Sequence, residues 1–288
     1  MTMEMLTISF VAGLSLAGIY ILGAIGLTLM FGVMRIINFA HGAIYMIGSF
    51  VTWSVMELMG MNFFFGLPIA IATALILALL TERWMYRFIR QSHEAALTAF
   101  LGLSILLESF LLLIYGGEEK GVSRVLPGEV HMLGTTVSMD RIMTVPFAIL
   151  AVIGIFYLVY KTNIGRQMRA IAEDSELATL RGISVNYINM IVFILGFSLA
   201  ALSGALAAPL FPIYPAGATT ILLKSFFVIM MGGLGSMGGA ILAGLLLGLL
   251  DCVLGFIVGV PLAIIIEFAL LIILIMARPR GLLGHGVI

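Results

Sequence analysis

Charged side chains are scarce in this sequence. Asp, Glu, Lys and Arg make up 10% of its 288 residues, whereas hydrophobic residues make up 62%. Soluble domains carry about 25% charged and about 45–50% apolar residues, so this composition excludes a water-soluble globular protein. Acidic and basic residues balance to a formal net charge of zero. The charge balance therefore predicts no nucleic-acid partner.

Cysteine is almost absent, and the sequence offers no cluster of metal ligands. Cys252, the single cysteine, lies in an apolar run and cannot form an intrachain disulfide, so we interpret it as a small packed residue. His41 has no second histidine, cysteine or carboxylate at ligand spacing nearby. Because a zinc site needs several such ligands, we expect no metal site.

Enzymatic motifs are also missing. None of Lys120, Lys161 and Lys224 follows the glycine that the Walker A sequence G-x-x-x-x-G-K-[ST] requires. No H-E-x-x-H zinc motif occurs, and Ala201 stands where a G-x-S-G nucleophile motif needs glycine. We therefore expect a chain that is not an enzyme and binds no cofactor. Any ATP hydrolysis linked to it must occur in another chain.

Long apolar runs dominate the sequence instead, and crossing a bilayer takes about 20 such residues. We predict an all-α, polytopic transmembrane helical bundle of about 8–10 spans, in a single domain over residues 1–288. Glycines at 232–235 favour half-helices joined by unwound backbone. The apolar segments are 6–33, 37–59, 63–81, 95–116, 142–160, 189–213, 219–233, 237–257 and 260–277.

Basic residues indicate which connections face the cytoplasm. Segments 82–94 and 161–188 and the C-terminal tail are the three connections rich in Lys and Arg. The positive-inside bias places all three in the cytoplasm. Nine spans then put the N-terminus outside and the C-terminus in the cytoplasm. Segment 117–141 becomes the one sizeable extracytoplasmic loop.

Three stretches carry motifs of a known family. The first, residues 26–42, reads Gly-Leu-Thr-Leu-Met-Phe-Gly-Val-Met-Arg-Ile-Ile-Asn-Phe-Ala-His-Gly. The second combines 169–183 with 196–205, and the third, 224–239, ends in Gly-Gly-Leu-Gly-Ser-Met-Gly-Gly. In this order they resemble LivH-type permease subunits of branched-chain amino acid ABC transporters. The resemblance extends over nearly the whole chain.

The resemblance implies an importer subunit, a single permease domain in the bacterial cytoplasmic (inner) membrane. Its implied partners are a second, LivM-like permease subunit, two cytoplasmic ATPase subunits that bind the ATP, an extracytoplasmic solute-binding protein and membrane lipid. The implied solute is a branched-chain or other hydrophobic or neutral amino acid. Urea, short amides or aromatic acids are alternatives within the family. An ion-coupled secondary transporter is the alternative from another class.

Polar residues within the second apolar segment are the first candidates for a translocation pathway. Asn38, His41, Tyr45 and Ser49 recur at i, i+3, i+7 and i+11, which places them on one face of a helix. Such a stripe must meet protein or water inside a membrane. It either lines a pathway for the solute or forms hydrogen bonds between helices.

Charged residues within the apolar segments are the second group of candidates. Burying a charge in a membrane is costly enough to require a partner or water. Glu108 and Glu267 are candidates for a polar pathway that receives the solute. The alternative is structural ion pairing, such as Lys224 with Asp251.

A short helix is expected within segment 161–188. Glu173, Asp174 and Glu176 suit its first turn, where anions are stabilised, and Gly182 fits the left-handed position that ends many helices. The resemblance implies that this helix docks into an ATPase subunit, with Ala178 and Gly182 at the closest approach. A solvated connector is the alternative. The candidate coupling residues are Glu173, Asp174, Ala178, Leu180 and Gly182.

Small residues repeat along one later segment. Gly196, Ala200, Gly204 and Ala208 recur at every fourth position, a spacing that lets helices approach closely. This seam is either an interface with a second permease subunit or an internal helix contact.

Overall fold

A computed structural model describes residues 3–89, 92–126, 128–132 and 135–284. Residues 90 and 91 of the predicted cytoplasmic connection, and 127, 133 and 134 of the predicted outer loop, lie outside these ranges. Two strands form an antiparallel hairpin in that loop, β1 (Glu129–Met132) and β2 (Thr135–Ser138). The helices are α1 (Met3–Met34), α2 (His41–Trp53), α3 (Phe63–Thr81), α4 (Arg87–Ile89), α5 (His93–Tyr115), α6 (Met139–Lys161), α7 (Asn163–Glu173), α8 (Ser175–Leu180), α9 (Val185–Ala207), α10 (Gly217–Gly232), α11 (Met237–Val258) and α12 (Val260–Ala277).

The predicted polytopic helical bundle is confirmed. Within the described residues, seven helices are long and apolar enough to cross a membrane. Each predicted apolar segment contains one helix, but α2 and α10 are shorter than the others, with 13 and 16 residues. A π-helical turn, Ser54–Leu58, extends α2, and a second one, Glu82–Tyr86, joins α3 to α4 into one continuous helical span. The seven candidate spans are Ile8–Met34, Phe63–Ile89, His93–Tyr115, Met139–Lys161, Val185–Ala207, Met237–Val258 and Val260–Ala277.

The chain is not helical between α1 and α2, so the predicted continuous segment 37–59 is wrong at its start. Arg35 has a φ of +56°, in the left-handed region that L residues rarely adopt. The side-chain oxygen of Asn38 accepts the backbone N–H of Ala40 at 3.0 Å. Asparagine favours such local turns over helix. Asn38 therefore lies before α2 and does not share a helical face with His41.

Helix α1 lies between α9 and α11, and α2 also packs against α9. Small residues permit these approaches. A Cβ on Gly204 would lie 1.9 Å from the carbonyl oxygen of Tyr45, and one on Gly196 would lie 2.9 Å from Met30. Ala200 and Ala208 are buried. The predicted seam along α9 is thus packed within the chain, against α1 and α2.

The segment expected to couple forms two helices rather than one. Glu173 is the last residue of α7 and not part of the first turn of α8, so that part of the prediction is wrong. Asp174 separates the two helices and caps α8, because its side chain accepts the backbone N–H groups of Glu176 and Leu177 at 2.9 and 3.0 Å.

The end of α8 has the predicted left-handed glycine. Gly182 has a φ of +82°, and its N–H donates to the carbonyl of Thr179. The N–H of Ile183 donates to the carbonyl of Ala178. These two bonds form a Schellman motif, which satisfies carbonyls at the end of a helix. The short helix α8 is therefore capped at both ends.

Candidate functional site

Four polar side chains from four helices meet inside the bundle. Lys224 of α10 forms an ion pair with Asp251 of α11 at 3.0 Å, and a second one with Glu267 of α12. Tyr20 of α1 donates a hydrogen bond to the same Asp251 oxygen at 2.6 Å. Lys224 and Glu267 are only 5% and 2% exposed. The structural pairing of Lys224 with Asp251, posed as the alternative to a pathway role, is present.

This ion network contains two carboxylates and one ammonium group. No described residue donates a hydrogen bond to the Oε1 atom of Glu267, which is buried. Buried charges in a membrane are expensive and need partners. Lys224 therefore acts as the shared counter-ion that holds α11 and α12 against α10.

A cavity of about 570 Å³ lies beside the network. Tyr20, Tyr45, Lys224 and Asp251 form its polar wall, and Arg141 lines it as well. It lies where α1, α6, α10 and α12 begin and α11 ends. Its apolar wall includes Ile8, Ala12, Leu16, Ile19, Met46, Ile221, Phe256, Val260 and Ile264. A cavity with apolar walls and a few polar groups is typical of small-molecule sites.

Two of the predicted pathway residues line cavities. Tyr45 lies on the wall of the large cavity. Glu108 lines a separate cavity of about 350 Å³, together with Tyr214. Tyr214 also lines the large cavity, so the two cavities share a wall.

The other predicted pathway residues are packed between helices. His41 donates from Nε2 to the carbonyl oxygen of Gly23 at 2.8 Å, and Ser49 donates to that of Gly204 at 2.8 Å. Asn38 is fully buried, and Glu267 does not line the cavity. For these side chains, the geometry matches hydrogen bonding and ion pairing within the protein.

Tyr20 and Arg141 are cavity residues that the sequence patterns did not single out. Tyr20 is one aromatic residue within a long apolar run, and its partner Asp251 is 231 residues away. Arg141 falls at the edge of the predicted outer loop. One sequence feature could have pointed to such residues: Lys224 and Asp251 lie within apolar segments, and buried charges there require polar partners on other helices.

The surface of α8 presents apolar side chains at one end of the molecule. Leu180 is 83% exposed and Leu177 is 56% exposed. Ala178, by contrast, is buried within the chain, so its side chain does not fit the predicted close approach to a partner. A cavity of about 580 Å³ beside α8 is lined by Arg35, Tyr86, Glu173, Asp174, Glu176 and Asn189, among others.

The predicted outer loop is attached to the end of α2. Ser123 donates its backbone N–H to Glu57 at 2.7 Å, and the indole of Trp53 donates to the carbonyl of Gly121 at 3.1 Å. Glu57 is exposed and lies outside the candidate spans. Hydrogen bonds from the side chain and backbone of Ser123 lower the pKa of the Glu57 carboxyl group. The loop also pairs with the α9–α10 connection through Lys120 and Ile213.

A multi-pass helical bundle with a cavity lined by charged groups is typical of integral membrane transport proteins. Residues 9–276 match the family described as branched-chain amino acid transport system, permease component. The chain belongs to that family.

Named relatives support the same assignment. The chain is 32% identical to the high-affinity branched-chain amino acid transport system permease protein BraD of Pseudomonas aeruginosa, over 96% of this chain and 94% of BraD. It is 30% identical to the permease protein LivH of Escherichia coli K12, over 95% and 94%. Among solved structures, PsaBC from Streptococcus pneumoniae in complex with Fab has a TM-score of 0.53 at 14% identity, over 97% of this chain and 94% of that chain. This last likeness shows the fold alone.

Proposed function

We propose that this chain forms the translocation pathway of an importer for branched-chain or other hydrophobic, neutral amino acids. The observation that carries the proposal is the cavity of about 570 Å³, whose polar wall contains Lys224 and Asp251 and whose remaining wall is apolar. Such a lining suits a solute with two charged groups and an aliphatic side chain. The names of BraD and LivH support the same solute class.

The transport is driven by partner chains. Two cytoplasmic ATPase subunits bind and hydrolyse the ATP, which agrees with the lack of a Walker A motif in this sequence. A second, LivM-like permease subunit completes the membrane part, and an extracytoplasmic binding protein delivers the solute. Exposed apolar faces on α5 and α12, around Leu113 and Met276, supply surface for lipid and for the second permease.

Helix α8 transmits the ATPase movement to the bundle. Its caps at Asp174 and Gly182 make it a defined element despite its six residues. Leu177 and Leu180 are available for a groove on the partner, as in other helix-in-groove contacts. Leu180 replaces Ala178 as the residue at closest approach.

The chain lies in the bacterial inner membrane with its N-terminus outside and its C-terminus in the cytoplasm. Basic residues of segments 82–94 and 161–188 support this orientation. The cavity lies where α1 begins, so this orientation opens it towards the extracytoplasmic side, where the binding protein docks.

Transport by the reconstituted complex tests the proposal. The permease pair, ATPases and binding protein are placed in proteoliposomes, and uptake of radiolabelled leucine, urea and benzoate is measured with ATP inside or outside. We expect leucine uptake that requires ATP on the ATPase side and survives an uncoupler. Uptake that persists without ATP and collapses with the uncoupler would establish an ion-coupled transporter instead. If the complex imports urea or benzoate but not leucine, the chain serves another class of solute.

A further inference from the structure

Arg141 is a second basic group on the cavity wall, and no described residue neutralises it. Its guanidinium makes no hydrogen bond or ion pair with the part of the chain that the structure describes. Its backbone carbonyl accepts a hydrogen bond from Ser15 at 2.7 Å, which holds the start of α6 against α1. A guanidinium with free donors beside an apolar wall is suited to bind a carboxylate in a bidentate manner.

The ion network offers the opposite charge in the same cavity. Lys224 is shared between Asp251 and Glu267, so the network has one more carboxyl group than it has ammonium groups. Asp251 lies on the cavity wall, whereas Glu267 does not. A carboxylate has about four lone-pair sites, and Tyr20 and Lys224 occupy two of those on Asp251. Asp251 therefore keeps acceptor capacity for a further cation.

The apolar wall provides the third element of recognition. Leu16, Ile19, Met46, Ile221 and Ile264 line the same cavity as the charged groups. An aliphatic side chain that leaves water for this wall contributes about 0.8 kcal/mol for each buried methylene. The cavity of about 570 Å³ is within the range of small-molecule sites.

We propose that this cavity is a binding site for the free amino acid in its zwitterionic form within the membrane domain. Arg141 binds the α-carboxylate, Asp251 binds the α-ammonium group, and the apolar wall accepts the side chain. The permease thus selects for a free amino acid, in addition to the choice made by the binding protein. This inference rests on the proposed function, because it takes the solute to be an amino acid.

Cys252 supplies a direct readout of site occupancy. It is the single cysteine of the chain, and it lines the cavity next to Asp251. In the complete complex in nanodiscs, N-ethylmaleimide is added and its attachment to this chain is followed by mass spectrometry. Cys252→Ser identifies labelling at any other position. Because the cavity is open, Cys252 should react, and saturating leucine should slow the reaction.

Three compounds separate the two charged contacts. Leucine carries both charges, leucinamide lacks the carboxylate, and 4-methylpentanoate lacks the ammonium group. Leucine should protect Cys252 at a concentration roughly tenfold or more below that required of either analogue, because each loses one charge-assisted hydrogen-bonded contact. Equal protection by all three, or none by leucine, would overturn the proposal, as would a Cys252 that does not react at all.

Variants of the basic residue complete the test. Arg141→Gln should raise the leucine concentration for half-protection roughly tenfold or more, and Arg141→Lys should raise it less. Arg124→Gln, in the exposed pair with Glu129, is the matched control and should leave it unchanged. If leucine protects Cys252 in the Arg141→Gln variant at the same concentration as in the wild type, the proposal is overturned.

Leucine uptake by the same complex distinguishes the two levels of the hypothesis. If the wild-type complex imports leucine while leucine fails to protect Cys252, the site is wrong and the proposed function stands. If the complex imports no amino acid, the proposed function fails, and this site fails with it.

Discussion

At the scale of single residues, the polar side chains inside the bundle serve two purposes. Asn38, His41 and Ser49 direct their hydrogen bonds to neighbouring protein atoms and hold adjacent elements together. Lys224 and Asp251 do this too, but they also line the cavity. Because one cation serves two carboxylates, Lys224 is the residue on which the buried network depends.

Replacing Lys224 with methionine should lower the free energy of unfolding by roughly 3–5 kcal/mol, because Asp251 and Glu267 would remain buried without a cation. Thermal unfolding of the purified protein in detergent measures this change. Arg124→Met is the control. It removes an exposed ion pair with Glu129 at 3.3 Å, which should change the stability by at most about 1 kcal/mol. Similar shifts for both variants would contradict the structural role of Lys224.

At the scale of elements, close approach between helices depends on individual glycines. The spacing of small residues along α9 predicted a packing seam but left its partner open. Gly204 lies against the backbone of Tyr45, and Gly48 lies against that of Ala201, so the seam joins α9 to α2. Backbone atoms cannot move aside as a flexible side chain can, and a methyl group there would separate the helices.

Gly204→Ala should destabilise the protein by about 1–3 kcal/mol or more, because the added Cβ would lie 1.9 Å from the Tyr45 carbonyl oxygen. Gly102→Ala on α5 is the matched control, since nothing lies within 4 Å of its Cβ position. That change should be neutral, or stabilise by up to about 1 kcal/mol through helix propensity. Thermal unfolding of both variants provides the comparison. A Gly204→Ala protein as stable as Gly102→Ala would show that α2 and α9 do not pack in this way.

The short helix α8 combines local capping with an exposed apolar surface. Leu180→Ala should leave the stability of the chain unchanged, because Leu180 is 83% exposed. It should reduce the ATP hydrolysis that the loaded binding protein stimulates, because α8 contacts the ATPase in the proposed function. Leu113→Ala on α5 is the control, at 82% exposure. If both variants retain full stimulation, Leu180 is not part of the coupling contact.

At the scale of the whole molecule, the proposed orientation determines which face of the cavity meets the binding protein. Ser123 lies in the loop attached to α2, and Glu176 lies on α8; both are exposed. The orientation places them on opposite sides of the membrane. The hairpin of β1 and β2 then lies outside, with the entrance formed by the starts of α1, α10 and α12.

Cysteine labelling of intact cells checks the orientation. In a Cys252→Ser background, Ser123→Cys should react with a membrane-impermeant thiol reagent added outside. Glu176→Cys should react only in inverted vesicles, because its side chain faces the cytoplasm. The reverse pattern would place the N-terminus inside and would turn the cavity towards the ATPases.

Helix positions were predictable because hydropathy is a local property. Each of the nine apolar segments contains a helix, and the left-handed Gly182 follows from its place after α8. Prediction from the local sequence pattern failed where a side chain formed a hydrogen bond that interrupts the helix. Asn38 forms a turn instead of extending α2, and Glu173 ends α7 because Asp174 caps the next helix.

Composition and spacing by themselves determined that this chain is a helical membrane protein, since each span must satisfy its backbone within itself and bury or expose apolar side chains. The permease class came from the three stretches that resemble LivH-type permeases. Only the tertiary structure decided which polar residues meet. Tyr20 and Asp251 are 231 residues apart in the sequence, yet their oxygens lie 2.6 Å apart. Helix packing determines such pairs, and no periodicity within a single segment of the sequence indicates them. For the same reason, Arg141 became a cavity residue only once the helices were assembled.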